Sequence, residues 1–153
     1  MKVRVVWIGK TRNRELAGLI EDLLDRTQRF VPLEVTELRD PKTGNDLRQL
    51  TVEEERLLEA LDSNDRVIVL DSEGQSWTSE QLAQFVGKHL GGDPRRLTFV
   101  IGGYGGISAK VKARADRQWS LSRLTFTHEM TRVLVMEQLY RALCILNNHP
   151  YSK

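Results

Sequence analysis

The chain is poor in cysteine, proline and aromatic residues, and it has no long apolar run. Its single cysteine, Cys144, has no partner within the chain, so an intrachain disulfide is excluded and a reducing compartment is expected. Lying within an apolar helical pattern, Cys144 reads as a small buried hydrophobe. Nothing approaches the roughly 18 consecutive apolar residues of a membrane span. Met1 to Lys10 carries Lys2 and Arg4 but too short an apolar run for a signal peptide, and no small-residue cleavage site follows. A cytoplasmic location without a membrane partner is therefore expected. His89, His128 and His149 lack metal-ligand spacing and cysteine partners, so no metal is expected. The phosphate loop of nucleoside triphosphate enzymes is missing, and so is the GxSxG elbow of serine hydrolases. Gly103-Tyr104-Gly105 begins like a dinucleotide fingerprint. Its third glycine would fall at Ser108, however, and no acid lies about 20 residues further on, which speaks against a nicotinamide or flavin site.

What is present describes one globular α/β domain of 153 residues, 40% apolar and 29% charged. Lys2–Ile8, Leu33–Leu38, Arg66–Asp71 and Leu97–Ile101 read as strands, with a turn expected at Ser72-Glu73-Gly74 after the third. Between them, Leu16, Leu19, Ile20, Leu23 and Leu24 mark one face of a helix beginning near Asn13. Capping-box spacings place helix starts at Thr51 (with Glu54) and Thr78 (with Gln81), the latter helix stopping at Gly91-Gly92-Asp93-Pro94. Asp40 to Asp46 reads as a flexible polar loop, and a helical segment is expected from Ser108. Strands alternating with helices imply a parallel sheet covered on both faces, with ligands outside the carboxyl ends of the strands. Leu70-Asp71 and Ile101-Gly102 are then neighbouring walls of one crevice.

A net charge of +2 says little, but its distribution is uneven. Lys110, Lys112, Arg114, Arg117 and Arg123 face only one local acid, Asp116, whereas Glu53, Glu54, Glu55, Glu59 and Asp62 surround Arg56. A basic surface beside a glycine loop attracts phosphates, although a solvated helix face has the same composition. Two loops stand out: Ile101-Gly102-Gly103-Tyr104-Gly105-Gly106, and Leu121-Ser122-Arg123-Leu124-Thr125-Phe126. With Leu70 they would make a pocket of apolar walls and exposed backbone groups, suited to a neutral purine and a short zwitterion. The alternative is that both are merely tight connections.

From His128 to Leu146 a final helix is apolar nearly all the way round, so it needs cover on more than one side. A homodimer seam would supply that cover, as would burial in the core alone. His128 and Arg132 share one face, as do Glu137 and Arg141. Either the second pair is a surface salt bridge and His128 a cap, or Arg132 or Arg141 reaches across the seam to a phosphate or base.

Four spaced motifs resemble one family. They are Phe99-Val100-Ile101-Gly102-Gly103-x-x-Gly106, then Trp119-Ser120-Leu121-Ser122-x-Leu124-Thr125-Phe126-x-His128-x-x-x-Arg132, Glu137-Gln138-Leu139-Tyr140-Arg141-Ala142, and Asn148-His149-Pro150-Tyr151. In order and spacing they resemble the RlmH (YbeA-like) ribosomal RNA large-subunit pseudouridine methyltransferases of the SPOUT superfamily. The resemblance implies a single SPOUT domain over residues 1–153, a trefoil-knotted cofactor region at about 97–147, and a homodimer. It further implies S-adenosylmethionine as cofactor, and methyl transfer to the N3 nitrogen of a pseudouridine in 23S ribosomal RNA within assembled ribosomes. Carried over by position, the cofactor contacts are Leu70, Gly102, Gly103, Leu121, Ser122, Arg123, Leu124, Thr125 and Phe126. Arg141, Arg132 and Tyr151 are the implied substrate-positioning residues. One departure is Ser152, where the family usually has histidine. That departure keeps two alternatives in view: a non-catalytic ribosome- or RNA-binding SPOUT protein, and a SPOUT methyltransferase for transfer RNA.

Overall fold

An apolar run interrupted only by Arg4 has to be covered on both sides, and in Val3–Ile8 (β1) all six residues are buried. The structure is a computed structural model and describes residues 2–151. The other strands are Leu33–Leu38 (β2), Asp65–Ser76 (β3), Arg96–Val100 (β4) and Arg117–Ser120 (β5). They form one sheet of order β2-β1-β4-β3-β5, every neighbouring pair parallel. Side chains alternate across it as the two-residue period requires. Val3, Val5, Trp7, Ile68, Leu70, Leu97 and Phe99 enter one core, whereas Val6, Ile8, Val67, Val69 and Val100 enter the other. The helices Arg14–Thr27 (α1), Ser79–Gly92 (α3) and His128–Leu146 (α5) cover the first face, and Asp46–Ala60 (α2) and Ala109–Arg114 (α4) the second.

Several helix limits follow from side-chain caps. Asn13 accepts from the Leu16 N–H ahead of α1, and Thr78 and Gln81 form the expected reciprocal capping box of α3. The expected start at Thr51 is corrected. α2 begins at Asp46 because the Asn45 side chain takes the Arg48 N–H, while the Thr51 hydroxyl donates back to the Leu47 carbonyl. The preceding loop is tied rather than free, since the Asp40 carboxylate accepts from the Lys42 N–H and from Gln49 Nε2.

The expected turn at Ser72-Glu73-Gly74 is corrected too. β3 runs on to Ser76, because β5 pairs with it on both sides of a register shift between Leu70 and Gln75. A Cβ on Gly74 would lie 2.7 Å from the Gln118 carbonyl, so the two chains approach closely there. β5 lay hidden inside the basic segment and is four residues long, of which Trp119 and Ser120 are buried. The helix expected from Ser108 is accordingly short.

α5 has the expected limits. Most of its circumference is covered within the chain by α1, α3 and the sheet; Met130, Ile145 and Leu146 are its exposed large apolar residues. At the amino ends of the strands, Asp65 is completely enclosed by Arg4, Arg96 and Thr98, with donor distances of 3.2, 2.7 and 2.7 Å. No helix among the described residues is long and apolar enough to cross a membrane.

Candidate cofactor cleft

Because β3 and β4 are neighbours, their carboxyl ends open side by side, and a cleft of about 560 Å³ lies there. Leu70 and Ile101 line it from the strands. Gly102 and Gly103 line it from the first loop, and Leu121, Ser122, Leu124, Thr125 and Phe126 from the second. Arg123, the ninth expected contact, is exposed and is not part of this wall.

Both loops are fixed by their own backbone. The Gly106 N–H donates to the Gly103 carbonyl at 3.0 Å, and Gly106 has φ +82°, a left-handed conformation that favours glycine. A Cβ on Gly102 would stand 2.7 Å from the Gly106 carbonyl oxygen, so a side chain there would force the loop open. In the second loop the Ser120 hydroxyl lies 3.0 Å from both the Ser72 and Ser122 carbonyls, and the Ser122 hydroxyl accepts from the Leu124 N–H. The extension of β3 past its expected turn thus anchors the loop. On the rim, Lys112 pairs with Asp71 at 3.1 Å.

The three expected substrate-positioning residues fall elsewhere. Arg132 is 0% exposed. One Nη donates to the Ile8 carbonyl at 2.7 Å and the other to the Thr11 hydroxyl at 2.9 Å, with the guanidinium 4.9 Å from the Trp7 ring centre. It holds the end of β1, with both terminal nitrogens engaged within the chain. Arg141 lies 3.4 Å from Glu137 and 4.6 Å from the centre of the Tyr151 ring. The Tyr151 hydroxyl donates to Glu137, and burial together with that carboxylate pushes the phenol up from its ordinary value. Arg141 and Tyr151 border a separate cleft of about 550 Å³ beside Gln138 and His149, sharing no lining residue with the first. At about 1.5 Å per helical residue, Arg141 lies roughly 20 Å along α5 from His128. Ser152 lies outside the described residues.

Two residues that sequence reasoning assigned otherwise border the site. Thr127, not His128, caps α5; its side chain accepts from the Met130 N–H. His128 instead lines the cofactor cleft. Burial, then the nearby Arg132 charge, holds its imidazole below the ordinary value and therefore neutral at pH 7. Its position directly after the second loop was the available signal. Glu53, counted among the surface acids, is 1% exposed. Its Oε2 accepts from Gln49 at 2.8 Å, while Oε1 has no partner and lies 2.7 Å from where a Gly103 Cβ would be. Burial raises this carboxyl. Only the fold could have shown it, since the residue stands within a run of three glutamates.

A parallel sheet covered by helices on both faces, with a backbone-lined cleft at the carboxyl ends of neighbouring strands, is an open α/β protein with its crevice where such sheets bind ligands. More narrowly, the family profile described as "Predicted SPOUT methyltransferase" matches residues 1–152, and the chain belongs to that family. It is similar to proteins named ribosomal RNA large subunit methyltransferase H. The one from Geobacter metallireducens is 42% identical over 151 residues, covering 99% of this chain and 98% of the relative. The one from Trichlorobacter lovleyi is 41% identical, covering 99% of each. Among solved structures, a probable methylase family protein from Haemophilus influenzae superposes with a TM-score of 0.55 over 99% of this chain and 70% of its own, at 14% identity. That likeness concerns the fold alone.

Proposed function

We propose that this chain is an S-adenosylmethionine-dependent methyltransferase that modifies the N3 nitrogen of a pseudouridine in 23S ribosomal RNA within assembled ribosomes. The observation that carries the reading is the meeting of eight of the nine expected cofactor contacts in one cleft, in a chain whose relatives are named for ribosomal RNA methylation. The cleft fits the group. Its volume is that of a small-molecule site, its floor is apolar at Leu70 and Ile101, and its loops offer backbone polar groups instead of cations. Bound there, S-adenosylmethionine supplies a methyl group activated by a positive sulfur.

The chain's own part is alignment and proton handling. Rigid loops at Gly102–Gly106 and Leu121–Phe126 fix the donor for an in-line displacement. The acceptor imide must lose its N3 proton, and the neutral imidazole of His128 on the cleft wall is placed to accept it. Arg141 and Tyr151 of the same chain are too far along α5 to help. In this reading they serve the cleft of a second copy across a homodimer seam, which the exposed Met130, Ile145 and Leu146 of α5 support. The C-terminal third is read as the trefoil knot of the resemblance.

Calorimetric titration with S-adenosylmethionine, followed by methyl transfer to ribosomes lacking the modification, tests the whole reading. Binding with transfer is expected. Arg141→Ala is expected to keep cofactor affinity and lose roughly 100- to 1000-fold in transfer rate, the scale of one stabilising contact to a developing charge. Binding without transfer would favour a non-catalytic ribosome-binding role, and transfer to transfer RNA alone would move the substrate.

A further inference from the structure

Beside the cofactor cleft runs a larger groove of about 1320 Å³, across the carboxyl ends of β1 and β2. Gly103, Tyr104 and His128 form a wall common to both. The groove's charges are sorted in an unusual way. Three of its acids are engaged by neighbouring donors or buried: half-exposed Asp40 accepts from Lys42 and Gln49, Glu53 is buried against Gly103, and half-exposed Glu129 accepts the Arg12 and Asn13 N–H groups at 3.1 and 3.0 Å. Four cations, Lys10, Arg12, Arg39 and Lys42, stay exposed, and none forms an ion pair with another described residue. Glu37 and Asp46 are the only fully exposed acids lining it, so four fully exposed cations face two fully exposed acids. On the shared wall, Tyr104 is 81% exposed, the most exposed of the chain's large hydrophobic side chains among the described residues.

Unpaired cations along a track and a bare aromatic ring are what an unpaired nucleic-acid strand requires. Phosphates meet the cations, and a base, which has an apolar face whatever its identity, stacks on the ring. A protein partner with an apolar patch would leave four cations without counter-charge. We propose that this groove is the docking track for an unpaired stretch of the RNA substrate, with Tyr104 stacking on a base beside the nucleotide that enters the cofactor cleft. The inference rests on the methyltransferase reading for the identity of the RNA, but not for the binding itself.

The test measures affinity for ribosomes lacking the modification by cosedimentation across a range of salt, with S-adenosylmethionine affinity measured on the same preparations. Tyr104→Ala is expected to weaken ribosome binding by roughly 5- to 100-fold, the range of one lost base stack, while Tyr104→Phe keeps it. Lys10→Ala, Arg12→Ala, Arg39→Ala and Lys42→Ala combined should flatten the slope of log affinity against log salt by about 0.7 for each phosphate contact removed. Lys88→Ala combined with Arg29→Ala, away from the groove, is expected to change neither quantity. A photoreactive benzoylphenylalanine at position 104 should cross-link to RNA. Unchanged affinity and slope in the groove variants, lost S-adenosylmethionine affinity in Tyr104→Ala, or cross-linking to a ribosomal protein would each overturn the proposal. A parent protein that binds ribosomes without methylating them would sink the methyltransferase reading and leave the groove to be judged by its own variants.

Discussion

The two ends of the sheet are built on opposite plans. At the amino ends, charge is enclosed and satisfied: Asp65 meets Arg4, Arg96 and Thr98 with no accessible side-chain surface. At the carboxyl ends of β3 and β4, the charged groups lining the cleft are the paired Asp71 and Lys112, and the surrounding loops are held by glycine backbone and serine hydroxyls. The contrast shows a division of labour. Paired ions lock the strands at the amino ends, whereas at the carboxyl ends the one cation of the cleft rim, Lys112, is neutralised by Asp71 and the walls are backbone and apolar side chains.

The sharpest way to break the contrast is to put a Cβ into the cradle. Gly102→Ala places that carbon 2.7 Å from the Gly106 carbonyl oxygen, a contact that only backbone movement can relieve. S-adenosylmethionine binding should fall by at least about 100-fold in calorimetry, since misplacing a cradle by about 1 Å has effects on that scale. Thermal unfolding should change far less, because the amino-end network is untouched. A variant that binds normally would show that the loop is not the cofactor's seat.

Next in size is the opposite experiment. Asp65→Asn leaves the Arg4 guanidinium buried without its counter-charge, and stability should drop by about 3 kcal/mol in denaturant titration. Acid does the same reversibly. Burial by itself would raise the Asp65 carboxyl, but hydrogen bonds from Arg96, the Asp62 backbone and Thr98 outweigh it and hold the group at about 2, against 3.8 when unfolded. A depressed carboxylate stabilises the fold above its unfolded value and ceases to do so as pH falls through the folded one. Parent stability should therefore decline between about pH 4 and pH 2. The Asn variant should lose that part of the decline; an unchanged profile would assign the acid sensitivity to other carboxylates.

How much of this was legible in sequence also divides along the two ends. Strand cores such as Val67–Leu70, and the caps at Asn13 and Thr78, were readable because period and capping are local properties. The two loops were readable because their glycines and serines stand at motif positions that the resemblance carries over, and these positions line one cleft. β5 was not, since its pairing with a β3 extended beyond Gly74 is a long-range event that four residues do not announce. Arg132 shows the same limit. Its position four residues after His128 suggested a place near the chemistry, but its two terminal nitrogens donate to the Ile8 carbonyl and Thr11, more than a hundred residues away in sequence.

The smallest expected effect lies where the two plans touch. Glu53 is a buried carboxyl of the enclosed kind, yet it sits under Gly103 at the open end with one oxygen unpaired. Burial raises it above its ordinary 4.5, so ionisation costs more in the folded protein than in the unfolded chain. That penalty is absent below the unfolded value and grows as pH rises through the folded one, the reverse of Asp65. Glu53→Gln keeps the shape and the acceptor for Gln49 while removing the charge. At pH 7 it should be as stable as the parent or up to about 1 kcal/mol more so, with the advantage vanishing near pH 4. A variant destabilised at pH 7 would mean that the ionised carboxylate finds a partner beneath the glycine loop, and the loop would then be held by charge like the amino ends, not by shape.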